Sequence, residues 1–180
     1  GFPRRTHRRC ADPMFSIANQ IAYSNQMVKA INKNSDGEFI GASTWFHIEC
    51  TSTPHNKHVI LEEIEFLKTK IRELRQTGYT GNIYVISPFK SVSNYCTNEF
   101  KNQKNISCGT IHRFQGKEAD IVFLVLGSNP SSSGARNWAS QKPNMLNVAL
   151  TRAKKRFYVI GNKKLWASCN YFNIMNRILD

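Results

Sequence analysis

The chain has 180 residues, 41% of them hydrophobic, and a formal net charge of +13 from 25 lysines and arginines against 12 aspartates and glutamates. This length fits one domain with a core of its own, and no apolar run approaches the roughly 20 residues of a membrane helix. The surplus of positive charge attracts polyanions, of which a nucleic-acid backbone is the commonest, or it serves solubility alone.

The N-terminus and the cysteines predict a cytoplasmic protein. Residues 1–5 (GFPRR) lack the apolar core of a signal peptide. The five cysteines are widely spaced without a C-x-x-C pair, which is typical of reduced thiols. One group of possible zinc ligands consists of His47, Cys50, His55 and His58. Its spacing matches no common zinc module, so we predict no metal site there.

Helix-like and strand-like patterns alternate along the chain. The predicted helices cover residues 13–29, 56–76, 92–103, about 144–153, and a stretch from 163 to 179 that is broken near 168–170. The predicted strands cover residues 44–48, 82–86, 107–110, 121–126 and 157–160. Residues 128–143 are rich in Ser, Asn, Gly and Pro and are predicted to form a mobile loop.

Short apolar strands divided by helices predict an α/β fold, in which helices cover both faces of a parallel sheet. Functional groups in such sheets collect at the carboxyl ends of the strands. The segments that follow the predicted strands are therefore the first places to look for a site.

Residues 87–90 (SPFK) follow the strand at 82–86. A hydroxyl, a rigid turn, an aromatic ring and a cation at a strand's carboxyl end suit a phosphate-sugar backbone. Equally, the segment can be a plain strand-to-helix turn in which Ser87 caps the helix.

Residues 109–120 (GTIHRFQGKEAD) are polar and charged although they precede the most apolar strand. Such groups are costly beside a core unless something engages them. Gly116 and Lys117 do not form a phosphate-binding P-loop, because the motif's first glycine is missing and Glu118 stands where a hydroxyl is required. We therefore expect this chain not to hydrolyse ATP by itself.

Residues 144–156 (NMLNVALTRAKKR) predict a helix that ends in a run of cations. Lys154, Lys155 and Arg156 are expected to balance the negative C-terminus of that helix. Arg152 differs from these three cations because the string around it, NVALTRA, resembles a known motif.

Three strings resemble motifs IV, V and VI of superfamily 1 helicases, in the family's order: SPF at 87–89, T…FQGKEAD at 110–120 and NVALTRA at 147–153. They are most similar to the branch with the nonsense-mediated-decay RNA helicase and related DNA helicases. Residues 6–15 (THRRCADPMF) resemble the arginine-bearing motif that opens the second RecA-like domain of these proteins. The resemblance spans nearly the whole chain and implies a RecA-like three-layer fold, with a mostly parallel sheet between two layers of helices.

The resemblance also implies roles in nucleotide chemistry. Arg152 resembles the motif VI arginine that reaches the γ-phosphate across an interdomain cleft, and Arg8 resembles a second arginine of this kind. Glu118 resembles the residue that binds the ribose. Gln115 and Gly116 resemble the part of motif V that links the nucleotide site to the nucleic acid. The catalytic candidates are thus Arg152, Arg8 and Gln115, and the nucleotide-binding candidates are Gly116 and Glu118.

For nucleic acid, the resemblance implies contacts to the backbone of a single strand. The matching residues are Ser87, Pro88, Thr110, His112 and Arg113. Backbone contacts of this kind do not distinguish DNA from RNA.

The lysine loop, the Asp-Glu pair for Mg²⁺ and the Gly-Asp-x-x-Gln segment of these helicases do not occur in the chain. In the family they lie in the first RecA-like domain. The resemblance therefore implies that ATP and Mg²⁺ are held mainly by that domain, which would be the main partner of this one. We expect the chain on its own to be a monomer.

Two interpretations remain open. The chain is half of an ATP-driven motor, or it is a non-catalytic module, derived from a helicase, that binds nucleic acid or a protein. A P-loop upstream in the same reading frame would favour the motor. A nuclease is disfavoured because metal-dependent cleavage needs clustered carboxylates. The acidic residues here are scattered, and the group Glu62, Glu63 and Glu65 is predicted on the solvent face of a helix.

Overall fold

A computed structural model describes residues 22, 24–25, 39–49, 57–141 and 143–179. Five strands in these ranges form one sheet: β1 (Thr44–His47), β2 (Ile83–Ile86), β3 (Ile106–Gly109), β4 (Ala119–Val125) and β5 (Ala153–Gly161). Neighbouring strands all pair in parallel, in the order β1-β5-β4-β2-β3. The predicted parallel sheet is confirmed.

Helices surround and connect these strands: α1 (Leu61–Gln76), α2 (Lys90–Glu99), α3 (Ser133–Ser140), α4 (Pro143–Thr151), α5 (Lys163–Trp166) and α6 (Phe172–Leu179). A 3-10 helix (Ile111–Phe114) lies between β3 and β4. Among the described helices, none has the length and apolar character that a membrane span requires.

The central strands are buried on both faces. All four residues of β2 are buried, as are the residues from 121 to 125 in β4. Because successive side chains of a strand point to opposite faces, burial of consecutive residues means that both faces are covered. This three-layer arrangement is the predicted RecA-like α/β fold.

Helix α1 packs through the apolar stripe that its sequence predicts. Ile64, Leu67, Ile71 and Leu74 recur every three or four residues and are buried. The helix begins at Leu61 rather than at residue 56, and it ends at Gln76 as predicted.

One acidic residue of α1 is not where the sequence predicts it. Glu63 was expected on the solvent face, yet only 1% of the residue is exposed. Its Oε1 accepts a hydrogen bond of 2.9 Å from the backbone N–H of Gly127, which follows β4. The side chain of Glu63 thus points into the fold because it satisfies a buried backbone donor.

The prediction of a mobile loop over residues 128–143 is wrong, because α3 occupies its middle. Arg136 on this helix is 6% exposed and donates hydrogen bonds to the hydroxyl of Ser128 (3.1 Å) and to the carbonyls of Asn129 and Pro130. Burial lowers the pKa of Arg136. A buried side chain therefore fastens the helix to the segment that precedes it.

The cations after Arg152 belong to a strand and not to a helix end. Helix α4 ends at Thr151, and β5 begins at Ala153, earlier than the predicted strand at 157–160. Arg156 is wholly buried; its Nε donates to the carbonyl of Gly41 at 3.0 Å, and its guanidinium lies 5.1 Å from the ring centre of Phe39. For Arg156, the interpretation as a partner of the helix C-terminus is therefore wrong.

Two predictions fall outside the described residues. The first is the helix at 13–29, of which only residues 22, 24 and 25 are described, and these are helical. The second is the arginine-bearing segment with Arg8.

Candidate nucleotide and nucleic-acid surfaces

The predicted site residues lie at opposite ends of the strands. The amino-edge group precedes β4 and β5 and consists of Gln115, Gly116, Glu118 and Arg152. The carboxyl-edge group follows β2 and β3 and consists of Ser87, Pro88 and Thr110. His112 and Arg113 lie on the 3-10 helix, in the segment that connects the two edges.

A tight turn shapes the amino-edge group. The N–H of Lys117 donates to the carbonyl of Phe114 at 3.0 Å, Gln115 has φ −57° and ψ 128°, and Gly116 has φ 72°. These angles define a type II turn, whose third position requires a positive φ and therefore favours glycine. The glycine of the motif's "QG" pair is thus explained by the positive φ that the turn requires at Gly116.

The side chain of Arg152 binds this turn. Its Nη1 donates to the carbonyl of Phe114 at 3.2 Å, its Nε donates to the carbonyl of Val148 at 3.3 Å, and its Nη2 donates to the hydroxyl of Thr151 at 3.3 Å. The residue is half-buried. Since a guanidinium carries five N–H groups, two of them lie outside these three hydrogen bonds.

The backbone of Arg152 joins the two strands of the amino edge. Its carbonyl accepts a hydrogen bond of 2.9 Å from the N–H of Ala119, and Ala119 pairs with Ala153 in the sheet. Glu118 therefore lies beside Arg152 across neighbouring strands. Gln115 and Glu118 are both exposed.

Two members of the carboxyl-edge group are buried. Ser87 is 1% exposed, and its hydroxyl accepts a hydrogen bond from the N–H of Phe89 at 3.2 Å. Pro88 is buried as well, and the ring of Phe89 stacks on His58 with centres 4.0 Å apart. The side chains of SPF thus stabilise the turn before α2, and of the 87–90 segment only Lys90 is exposed.

The segment after β3 is more open. Thr110 is half-buried, whereas His112 and Arg113 are exposed. A side chain at Gly109 would meet the Cδ of Arg113 at 2.7 Å. Glycine is therefore needed for Arg113 to fold back over the end of β3.

The two turns of the carboxyl edge are in direct contact. The N–H of Ser87 donates to the carbonyl of Gly109 at 3.2 Å, and β2 pairs with β3 as far as Ile86 and Gly109. Thr110 and the start of α2 therefore lie side by side.

A cleft of about 440 Å³ lies at this edge, lined by Lys57, Lys90, Ser91, Asn94 and Tyr95. The sequence pointed to Lys90 alone among these residues, as the cation of the SPFK segment. The other four were not among the predicted sites. Lys57 could not have been found, because it reaches the cleft from the segment before α1, which only the folded sheet brings close.

The possible zinc ligands make other contacts where they are described. The Nδ1 of His47 accepts a hydrogen bond from the N–H of Lys163 at 2.9 Å, and its Nε2 lies 3.3 Å from Glu49. Burial lowers the pKa of His58, and nearby Lys57 lowers it further. Cys50 and His55 lie outside the described residues. Within the described part of the chain, no three or more potential ligands come together.

Comparison with known proteins places these features in a family. A family model described as "AAA domain" matches residues 5–164. The chain is 33% identical over 124 residues to helicase sen1 of Schizosaccharomyces pombe, which covers 60% of the chain and 7% of that protein. It is 24% identical over 191 residues to an ATP-dependent helicase of Caenorhabditis elegans, covering 94% of the chain and 12% of that protein.

A third relative is a Regulator of nonsense transcripts 1 homolog of Neurospora crassa, 33% identical over 93 residues, with 47% of the chain and 8% of the relative covered. The chain thus spans a small part of the length of each of these relatives. The predicted resemblance to this branch of the superfamily 1 helicases is confirmed. The chain therefore belongs to the AAA domain family and is a helicase-type domain of the branch that includes Sen1 and Regulator of nonsense transcripts 1.

Proposed function

We propose that this chain is the second RecA-like domain of an ATP-dependent helicase and works against a first RecA-like domain that carries the P-loop. The amino edge would face the nucleotide between the two domains, and the carboxyl edge would carry the single strand. The helicase names of the relatives support this assignment, as does the separation of the two residue groups to opposite edges of one sheet.

The residues of the amino edge suit one side of a nucleotide. The planar cation of Arg152 can stabilise charge that develops on a transferred phosphoryl group, and the exposed carboxylate of Glu118 can accept hydrogen bonds from ribose hydroxyls. The absence of a side chain at Gly116 leaves open space beside the turn, and Gln115 exposes its amide there. Arg8 remains a proposed second arginine.

ATP and Mg²⁺ would be held mainly by the first domain; ATP would supply the phosphoryl group for transfer to water, and Mg²⁺ would neutralise the charge of its phosphates. This chain would position Arg152 beside the phosphoryl group and exclude water from its side of the cleft between the two domains. Its sequence contains no P-loop, so we propose that it does not hydrolyse ATP alone.

The carboxyl edge would hold the backbone of a single strand. Thr110 can donate through its hydroxyl, and the exposed His112 and Arg113 can contact phosphates. The buried side chains of Ser87 and Pro88 would act by shaping the turn, with contacts to the strand coming from neighbouring groups.

The observation that carries this proposal is the hydrogen bond from Arg152 to the carbonyl of Phe114. It joins the proposed phosphate-binding cation to the turn that contains Gly116, and so to the segment that runs back to Thr110. A movement of Arg152 toward a phosphate would change the contacts of that segment. This is the differential contact that a nucleotide-driven motor requires.

Replacement of Arg152 tests the assignment. In the parent protein with both domains, Arg152→Ala is expected to reduce nucleic-acid-stimulated ATP hydrolysis by roughly 10³-fold or more, because the charge on the phosphoryl group loses its cation. Arg152→Lys should restore little activity, since an ammonium does not reproduce the planar fork.

Lys154→Ala is the matched control, because Lys154 is an exposed cation two residues further along the chain. It should leave the hydrolysis rate unchanged. Thermal unfolding of each variant separates a catalytic loss from a loss of fold. A decrease smaller than about tenfold for a folded Arg152→Ala protein would contradict the proposed role.

A further inference from the structure

We propose that the cleft at the carboxyl edge binds a backbone phosphate of the single strand, with Lys57 and Lys90 as its cationic partners. This inference rests on the proposed function, because it extends the path of the strand from Thr110 along helix α2. Nothing in the motif resemblance assigns Lys57, Ser91 or Asn94 to any role.

The cleft is positively charged. Among the described residues, its lining contains the exposed Lys57 and Lys90 and no carboxylate. The hydroxyl of Tyr95 is hydrogen-bonded to Glu99, and that carboxylate also pairs with Lys68 at 3.6 Å. The carboxylate of Glu99 beside the cleft is therefore paired with Lys68. The charges of Lys57 and Lys90 can then attract an anion into the cleft.

The backbone at the start of α2 adds to this attraction. The helix has no acidic residue in its first turn and no side-chain cap, whereas α1 has Glu62 and Glu63 in its first turn. The N–H groups at a helix N-terminus carry partial positive charge and bind phosphate well. In α2 no acidic side chain in that turn competes for them.

Ser91 supplies a group that lacks a partner. Its hydroxyl oxygen is buried and makes no hydrogen bond within the described residues, although the residue lines the cleft. A buried hydroxyl without a partner costs free energy unless it finds one. A phosphate bound in the cleft could supply that partner if the hydroxyl turned toward it.

The position of the cleft favours a nucleic acid over a free anion. The turn before α2 is hydrogen-bonded to Gly109, so the cleft and Thr110 lie at the same edge of the sheet. Its volume of about 440 Å³ lies within the roughly 300–1,000 Å³ of small-ligand sites. Asn94 and Tyr95 add a polar amide and an aromatic ring, which suit a sugar or a base beside the phosphate.

The experiment measures binding of a fluorescent single-stranded oligonucleotide of about 12 nucleotides to the chain and to a Lys57→Gln/Lys90→Gln double variant. The variant's Kd is expected to rise roughly tenfold, and the slope of log K against log salt to fall by about 0.7 for each lysine removed. Both lysines are exposed, so the fold should be kept, and thermal unfolding checks this.

The matched control is the Lys101→Gln/Lys104→Gln double variant. It removes the same charge from exposed positions before β3, at the other edge of the sheet. Its Kd should stay within about twofold of the unchanged chain. An equal effect of the two double variants would overturn the inference, because the charge would then act only at long range.

An Arg113→Gln variant separates this inference from the proposed function. If Arg113→Gln weakens binding while Lys57→Gln/Lys90→Gln does not, the cleft is not part of the path, and the proposed carboxyl-edge surface stands. If the chain does not bind single strands at all, both fail. Displacement of the oligonucleotide by inorganic phosphate or ATP at equal phosphate concentration would assign the cleft to a free anion and overturn the inference as well.

Discussion

Glu63 places a carboxyl group in the core, 1% exposed, where it accepts a hydrogen bond from Gly127. Burial raises its pKa from the ordinary 4.5 to about 8, although the hydrogen bond from Gly127 acts in the opposite direction. An unfolded chain ionises this group near pH 4.5, whereas the folded protein keeps it protonated until about pH 8. The stability that it contributes is therefore complete below pH 4.5 and is lost as the pH rises through this window.

Replacement of Glu63 by glutamine is expected to flatten this dependence, because an amide oxygen can accept the same hydrogen bond without ionising. Each unit of pKa difference corresponds to about 1.4 kcal/mol, so the wild-type chain should lose a few kcal/mol of unfolding free energy between about pH 4.5 and about pH 8. Urea unfolding at several pH values measures this. Glu65→Gln serves as the control, since the side chain of Glu65 is 72% exposed. A Glu63→Gln variant that loses as much stability as wild type would contradict the assignment.

At the scale of single residues, the sequence predicted which residues are site candidates better than it predicted the burial and contacts of individual side chains. The motif strings pointed to Arg152, Gln115 and Glu118, and these residues do come together at one edge. The burial of Glu63 and Arg156 was not predictable, because neighbouring charges are typical of a solvated surface. Their partners, the backbone groups of Gly127 and Gly41, lie far away in the chain and become neighbours only in the folded sheet.

Among the elements, the turns directly before and after β4 depend on glycine. Gly116 and Gly127 both have positive φ, at 72° and 65°. A side chain at Gly116 would meet nothing within 4 Å, whereas one at Gly127 would lie 2.5 Å from the carbonyl oxygen of His58. Both positions require a positive φ, but only at Gly127 would a side chain meet other atoms.

This difference predicts unequal costs for the same substitution. Gly116→Ala should lower the unfolding free energy by about 1 kcal/mol, from backbone strain alone. Gly127→Ala should cost on the order of 3 kcal/mol, because the added methyl group also displaces backbone at His58. Chemical denaturation of the two variants provides the comparison. Equal losses of unfolding free energy would contradict this, because the backbone at His58 would then move away from the added methyl group at no cost.

The elements with an apolar period were predicted from sequence, and those held by polar contacts were not. The spacing in α1 and the apolar runs of β2 and β4 located these elements to within a few residues at most ends. Helix α3 was missed because its sequence, SGARNWAS, is short and contains the Ser, Gly and Asn residues that are typical of loops. It is stabilised by Arg136, whose hydrogen bonds reach the residues before the helix, and such tertiary support overrides local propensity.

At the scale of the whole molecule, the net charge attracts a polyanion, and the topology of the sheet determines where on the surface it would bind. The net charge of +13 favours any polyanion, but the proposed path uses only three cations, Lys57 and Lys90 at the carboxyl edge and Arg113 in the segment that follows β3. Charge alone attracts without specifying a place. The sheet specifies it, because parallel strands gather their carboxyl ends on one side.

The binding of a single strand by the chain should consequently be weak and dependent on salt. With about three cations in contact, we expect a slope near −2 for log K against log salt, measured by fluorescence anisotropy between about 50 and 200 mM salt. Affinity that does not change over this range would show that the positive charge serves another purpose.

The topology was predictable in kind, as a parallel sheet between helices, and this prediction is confirmed. The candidate site residues do not all lie at carboxyl ends, because Arg152 and Glu118 precede β5 and β4. The general rule for ligand sites in such sheets describes a domain that binds its ligand alone. The proposed nucleotide surface here would meet its ligand from the side of a second domain, and a rule drawn from single domains does not cover that case.

The short run of chain between Thr110 and Ala119 crosses from one rim of the sheet to the other, a span of about 20 Å along β4. Its two ends are pinned, by the pairing of β3 with β2 at one side and by the Arg152 backbone at the other. The height of the sheet therefore sets the smallest number of residues that this run can contain. A deletion that made the run shorter than this minimum would pull on both rims of the sheet together.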